Sequence, residues 1–532
     1  MELDTSAPHV ARGGYRKTIE RNAGRLVTAC SDFLEQHRSI CWLLLFALYI
    51  PLVLVEAHSH PLTNDEIYTV HIAQAPTIRR MLWLAREIDL HPPLHYLLQR
   101  VALHLDLPRW LASRLPSMIA GLIATCAIFS FAARRLGNLL GLVAVTVFWS
   151  SPAISICWQN RPYALWICFL ALLLIAWERA TSPFRSPLDI AAVFICSLLM
   201  ISDHLFGVAC LLPFALAEAQ RLRQRFRPDP ALWIALFTPA LLGLGLYYQL
   251  HHLAANSFPQ AHMPSLDIAG SMYGSLAAPF FFMLSVCVMT VAYLPPVRLA
   301  DTFRLLQLRT DEGVLLYSLL ALPLLLLLAA AMLHVQFWER YASCAVLPLA
   351  LLTPWFLYRR ANAAYSIAFF AVLFLIGSTI ARIVVDYPSP GSNSAGLHQT
   401  GRQPIYLASL NPNLPIVTAS AMTFTEMSDH EPLPIARRIT YLTDRPSELR
   451  YSGYTLFDNE AKIRSLLNLP SQTAPLHDFL TTHAAFYMIG TYTSPDDWLP
   501  RALADQGTHL QYLGKFVSTY DDDDLYLVTI PQ

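Results

Sequence analysis

Residues 64–96 read NDEIYTVHIAQAPTIRRMLWLAREIDLHPPLHY and directly follow the first membrane-length apolar run, Ser39–Ala57. The stretch sets two carboxylates, Asp65 and Glu66, beside His71, Arg79, Arg80 and His91. It then starts a helix at Pro92-Pro93, whose fixed φ and missing amide hydrogens suit a first helical turn. Its apolar residues are spaced as in amphipathic helices and never reach the ~20 consecutive residues that cross a bilayer. The spacing predicts two or three interfacial helices over 58–109, lying on a membrane surface with their ionisable groups in the polar layer.

Upstream, residues 1–38 carry Arg12, Arg16, Lys17, Arg21, Arg25 and Arg38. The positive-inside rule then puts the N-terminus in the cytoplasm and the 58–109 loop on the outer face. The long polar lead makes the first apolar run an uncleaved span rather than a signal peptide. Downstream, apolar runs at about 110–133, 139–157, 163–177, 187–201, 205–220, 231–249, 275–296, 313–333, 341–358 and 363–384 bring the expected spans to eleven. Arg134, Arg135, Arg179, Arg185, the series from Arg221 to Arg227, then Arg298, Arg304, Arg309, Arg359 and Arg360 all fall on the cytoplasmic side of that count. The short outer loops hold only Arg161 and Arg340, and that exception invites a functional reading.

The 532 residues are 55% hydrophobic and 14% charged, the composition of a polytopic membrane protein. With 37 basic and 37 acidic residues no bulk field attracts nucleic acid. The nine cysteines lie in or beside apolar runs without a CxxC pair, so they read as small packing residues. Beyond the apolar block 39–385, PSPGSNSAG within 386–400 is a linker. Residues 401–532 form a small extracytoplasmic α/β domain. There LPIVTAS, RRITYLT and AAFYMIGT have strand length, EAKIRSLLNL, APLHDFLTTH and DDWLPRALADQG are helical, and LQYLGKFVSTYDDDDLYLVTI closes as a hairpin.

Several positions suit chemistry. Partial dehydration at the end of a span raises a carboxylate toward general-base range, which fits Asp65 and Glu66. Equally, Asn64 as N-cap with both acids at a helix start is ordinary capping. His91 borders a helix N-terminus, an anion site by geometry. Arg161 in WQNRPYAL and Arg340 in QFWERYAS suit a phosphate, though snorkelling or pairing with Glu339 serves the same residues. Asp203 and His204 in SDHLFG end the fifth run. His251, His252, His262 and Asp267 form a loose group without helix-spaced metal ligands, and Asp521–Asp524 lacks the alternation of a calcium loop.

Taken in order, the acid pair, HPPLHY, RPYAL, DHLFG and ERY followed by LPLALL resemble the glycosyltransferase C (GT-C) superfamily over roughly residues 40–385. Within it the chain is similar to bacterial membrane proteins related to protein O-mannosyltransferases, aminoarabinose transferases and RgtA-like lipopolysaccharide glycosyltransferases. The resemblance implies a polytopic GT-C-like fold and inverting transfer of a sugar from a polyprenyl-phosphate donor to an envelope glycan, lipid or protein at the outer face. By position it implies Asp65 as the catalytic acid residue assisted by Glu66. His91, Tyr96, Arg161, Tyr163 and His204 would border the donor, with Arg340 and Tyr341 near the lipid phosphate. Leu205 follows His204 where the family more often has an aromatic, and Gln159-Asn160 precedes RPYAL in place of an acidic or small pair. No nucleotide or redox cofactor is implied, and a divalent metal is left open.

Other classes make different demands. A flippase or transporter calls for paired halves with broken helices, which the sequence lacks. A membrane sensor would tolerate loss of Asp65, and a polysaccharide polymerase or ligase would give many product lengths.

Overall fold

The computed structural model describes residues 24–89, 91–245, 266–292, 308–333, 337–360, 364–387, 407–453, 460–494, 497–517 and 522–531. Most of the N-terminal segment and the linker, together with His251, His252, His262 and Asp521, lie outside the described residues.

The first span is α1, Arg38–Ser59. Three short helices follow: α2 (Asn64–Ala73), α3 (Ile78–Ile88) and α4 (Leu94–Leu103). The first loop thus contains the expected short helices. Its α3 buries Met81, Leu84 and Ala85 and turns Ile78, Leu82 and Trp83 outward, so apolar surface is offered away from the protein. The start of α2 departs from expectation. Thr63, not Asn64, is the N-cap, because Glu66 reaches back to the Thr63 amide at 3.0 Å and completes a reciprocal cap.

The bundle continues with α5 (Arg109–Leu136), α6 (Asn138–Ser150), α7 (Tyr163–Ala180), α8 (Pro187–Asp203), α9 (Leu211–Arg225) and α10 (Pro230–Gly245). Then come α11 (Leu266–Ala292), α12 (Thr310–Leu333), a 3₁₀ segment Glu339–Ala345, α13 (Val346–Arg360) and α14 (Ala364–Asp386). Each of the eleven apolar runs contains helix in its described part, and among the described residues seven helices are long and apolar enough to cross a bilayer. The remaining four runs are represented by shorter helices, α6 (13 residues), α8 (17), α9 (15) and α10. The apolar core is continuous through the bundle, and a Cβ at Gly121 would sit 2.6 Å from that of Cys157, so glycine permits the close approach of α5 to the segment before α7.

The C-terminal domain is a six-stranded sheet of order β3-β2-β1-β4-β6-β5, with β1 at Ile416–Thr418, β2 at Ile439–Thr443, β3 at Gln472–Pro475, β4 at Ala485–Gly490, β5 at His509–Val517 and β6 at Asp522–Thr529. The first four pair in parallel, and β6 joins β4 antiparallel within the expected terminal hairpin. Helices cover the sheet, and one of them, α15 (Ala421–His430), docks on α2. Asp429 accepts from His71 Nε2 at 3.0 Å and from Arg109 at 2.8 Å, and Leu467 and Leu469 pack against Tyr68, Ile72 and Met81. The domain therefore shares a side of the bundle with the first loop.

Candidate active site

Adjacent residues on a helix point about 100° apart, so Asp65 and Glu66 cannot face the same partners. The structure sends them to different places. Glu66 turns into the protein, where Arg114 of α5 grips it at 2.9 Å from Nε and 2.9 Å from Nη2. The amides of Asn160 (2.6 Å) and Thr63 (3.0 Å) complete its shell. Burial favours the neutral acid, yet the Arg114 guanidinium outweighs it and holds the Glu66 carboxyl below its usual range. Glu66 is fully buried and has no free edge for an acceptor.

Asp65 turns toward two arginines from distant loops. Its Oδ2 accepts from Arg340 Nη1 at 2.8 Å and lies 3.7 Å from Arg161 Nη2, while 29% of the side chain stays exposed. Dehydration works to raise this carboxyl, but Arg161 and then Arg340 hold it down to about 2. Asp65 is an anion at neutral pH.

Arg161 is 4% exposed and sits in the turn before α7, where Pro162 starts the helix. Asp89 orients it, accepting from Nη1 at 2.9 Å and Nη2 at 3.2 Å. Arg161 also reaches the Asp65 carbonyl at 3.1 Å and His91 Nε2 at 3.0 Å. Because a guanidinium only donates, that His91 nitrogen is the acceptor and the ring is neutral. Burial, then Arg161 and Arg340, keep the imidazole well below its ordinary pKa. Tyr96 donates to Asp89 at 2.7 Å, so it supports the site through that acid rather than bordering it openly.

The aromatic residues form the wall beyond. The His204 ring stacks on Trp166 at 4.7 Å and lies 5.3 Å from both His91 and Tyr163, and 6.2 Å from Tyr341. Arg340 is poised 5.8 Å over Tyr163. Arg161 Nε, Arg340 Nε, Tyr163 OH and His204 Nε2 are buried polar atoms without a hydrogen-bond partner among the described residues. Buried donors left open beside a carboxylate are groups prepared for a polar ligand, here one with several acceptor oxygens. No group of three His, Cys, Asp or Glu placed to hold a metal occurs among the described residues.

All nine positions singled out in the sequence therefore lie in or directly beneath one region, with Glu66 set apart in its own pocket. Sequence reading missed Asp89, Arg114 and Asn160. Asp89 stands two residues before His91 inside the quoted stretch, and Arg114 is the arginine of α5 that lies away from both helix ends, the signal that a buried partner exists. Asn160 links the pockets, giving its amide to Glu66 and its side-chain oxygen to His95 at 3.1 Å.

The bundle of apolar helices, whose first loop holds an acid between two loop arginines beneath an α/β domain, has the fold of membrane proteins already solved. Its solved counterparts include ArnT from Cupriavidus metallidurans. The apo form superposes with a TM-score of 0.52 at 14% identity, over 93% of this chain and 100% of that one. The form bound to undecaprenyl phosphate gives 0.51 at 14%, over 92% and 99%. At this identity the likeness establishes the fold. No protein-family model matches the chain, and no curated protein matches it by sequence.

Proposed function

We propose that this protein is a membrane glycosyltransferase that moves a hexosyl or pentosyl unit from a polyprenyl-phosphate donor to an envelope lipid, polysaccharide or protein. Transfer takes place at the outer face of the cytoplasmic membrane, with the N-terminus cytoplasmic and the C-terminal domain outside. The observation that carries the reading is the Asp65 carboxylate held between Arg340 and Arg161, whose Nε groups have no hydrogen-bond partner among the described residues. The GT-C fold supports it, as does the undecaprenyl phosphate bound by ArnT, a protein of the same fold.

In the proposed reaction the acceptor hydroxyl or amine attacks the anomeric carbon from the face opposite the phosphate. The C1–O bond breaks with inversion, the phosphate leaves with the electron pair, and Asp65 takes the acceptor proton. Arg161 and Arg340 neutralise the charge that grows on the phosphate, where transition-state stabilisation counts most. The same arginines keep Asp65 weakly basic beforehand. When a donor phosphate draws on their charge, the carboxyl pKa rises and the base is released at the moment it is needed.

The test is complementation of a deletion strain, read by mass spectrometry of envelope glycans and lipids and by transfer from a polyprenyl-phosphate sugar to the acceptor so found. Asp65→Asn is expected to lower transfer roughly 10²–10⁴-fold with normal protein levels. Full complementation by that variant would remove the transferase reading. Product length in the same assay separates single-sugar addition from polymerisation, and EDTA reads out any metal dependence.

A further inference from the structure

At the end of the bundle opposite Asp65, the C-terminal ends of α7 and α9 and the start of α10 enclose a cleft of about 410 Å³, within the roughly 300–1,000 Å³ of ligand sites. Four arginines line it, Arg185, Arg221, Arg225 and Arg227, against two acids, Glu218 and Asp229. Both acids are spent on structure. Asp229 pairs with Arg185 and caps α10, while Glu218 accepts from Arg221 at 2.6 Å, Trp177 at 2.7 Å and Trp233 at 3.1 Å. Arg225 and Arg227 are exposed and have no ion pair among the described residues, while Arg221, only 5% exposed, is held by Glu218 and has its Nε 3.9 Å from Asp311 Oδ2. The cleft thus holds surplus cationic donors on a fixed floor.

Its rim is apolar. Phe226, between the two unpaired arginines, is 87% exposed in the left-handed region (φ 54°), and Phe184 on the facing loop is 93% exposed. Exposed phenylalanine beside unpaired arginine is poor design for water and good design for a membrane interface, where rings enter the acyl boundary and guanidiniums stay with phosphates. A free phosphate would make no use of those rings.

We infer that this cleft is a second, non-catalytic site that holds the phosphate headgroup of an anionic membrane phospholipid. Arg225 and Arg227 grip the phosphate, Arg221 forms the floor, and Phe184 and Phe226 lie along the acyl chains. This site does not depend on the activity proposed for the Asp65 end.

Native mass spectrometry of the full-length protein, titrated with phosphatidylglycerol or with phosphatidylcholine of the same chains, tests it. The first phosphatidylglycerol is expected to bind more tightly than phosphatidylcholine. The double variant Arg225→Gln/Arg227→Gln should weaken it roughly 5- to 30-fold, the loss expected for one to two interfacial arginines. Arg223→Gln, exposed on the same helix but outside the cleft, should bind as the parent does. Equal affinity for the two lipids, or an unaltered double variant, overturns the site. Full competition by millimolar inorganic phosphate overturns the lipid in favour of a free phosphate ligand. All variants replace exposed side chains, and an unchanged melting midpoint in lipid-free detergent verifies their folding.

Discussion

Two arginine–carboxylate pockets lie side by side under the first loop, and they differ in how completely their donors are used. In the Glu66 pocket Arg114 spends all five N–H groups: two on Glu66, and the others on the carbonyls of Ala57 (2.5 Å), His60 (2.6 Å) and Pro61 (2.9 Å). In the Asp65 pocket Arg161 and Arg340 each retain a buried Nε with no hydrogen-bond partner among the described residues, and Asp65 is partly exposed. A closed pocket ties the chain together. An open one has capacity left for a ligand, and in α2 that difference arises between neighbouring residues.

The largest expected effect falls on the closed pocket. Glu66→Ala strands a fully buried guanidinium and removes half of the reciprocal helix cap, so we expect a loss of about 3–5 kcal/mol and failure to accumulate folded protein. Asp65→Asn should keep its melting midpoint while losing transfer. If Glu66→Ala folded normally and only transfer fell, the division between the pockets would collapse.

His95, on α4, gives a pH test of the shared wall. Its ring is 1% exposed, and burial, reinforced by Arg161, lowers its pKa to about 4. An unfolded histidine titrates near 6.5, so between these values the unfolded chain binds the extra proton. Stability from this group is therefore complete above pH ~6.5 and lost as pH falls toward 4, a change of about 3 kcal/mol. Thermal unfolding between pH 7 and 4 should fall less steeply in His95→Gln, which can still donate to Asn160. Parallel profiles would mean that His95 is not buried neutral.

Much of this was legible in the chain. Charge asymmetry and apolar run length placed the helices, Pro92-Pro93 and Pro162 marked helix starts, and alternating short runs indicated the α/β domain. The motif order brought Asp65, Arg161 and Arg340 together although 275 positions separate Asp65 from Arg340. The roles inside the acid pair were not legible. Glu66 looks as open to a ligand as Asp65 until Arg114 is seen beneath it, and a contact 48 positions away leaves no local trace beyond an arginine inside an apolar helix. Asp89 was hidden for a related reason. Its offset reads as an ordinary helix C-terminus, and only the fold brings Arg161, 72 positions away, against it.

Asp89 sharpens the comparison with the smallest effect. Among the described residues it is the only side-chain acid that makes a paired grip on Arg161, and its second partner, Tyr96, fixes it from below. Asp89→Asn preserves shape and one acceptor oxygen but turns an amide toward the guanidinium, so Arg161 loses its anchor without losing its place. Arg161 then has Asp65, 3.7 Å away, as its nearest carboxylate, and a tighter pair there occupies the cation and the base together. Since charge-assisted hydrogen bonds contribute about 1.5–3 kcal/mol, kcat/KM should fall roughly 10- to 100-fold, with KM for the donor rising more than kcat drops. Asp89→Glu, which keeps the charge, should recover part of it. A variant with unchanged KM and reduced kcat would instead mean that Arg161 acts only on the departing phosphate, and that donor binding rests on Arg340.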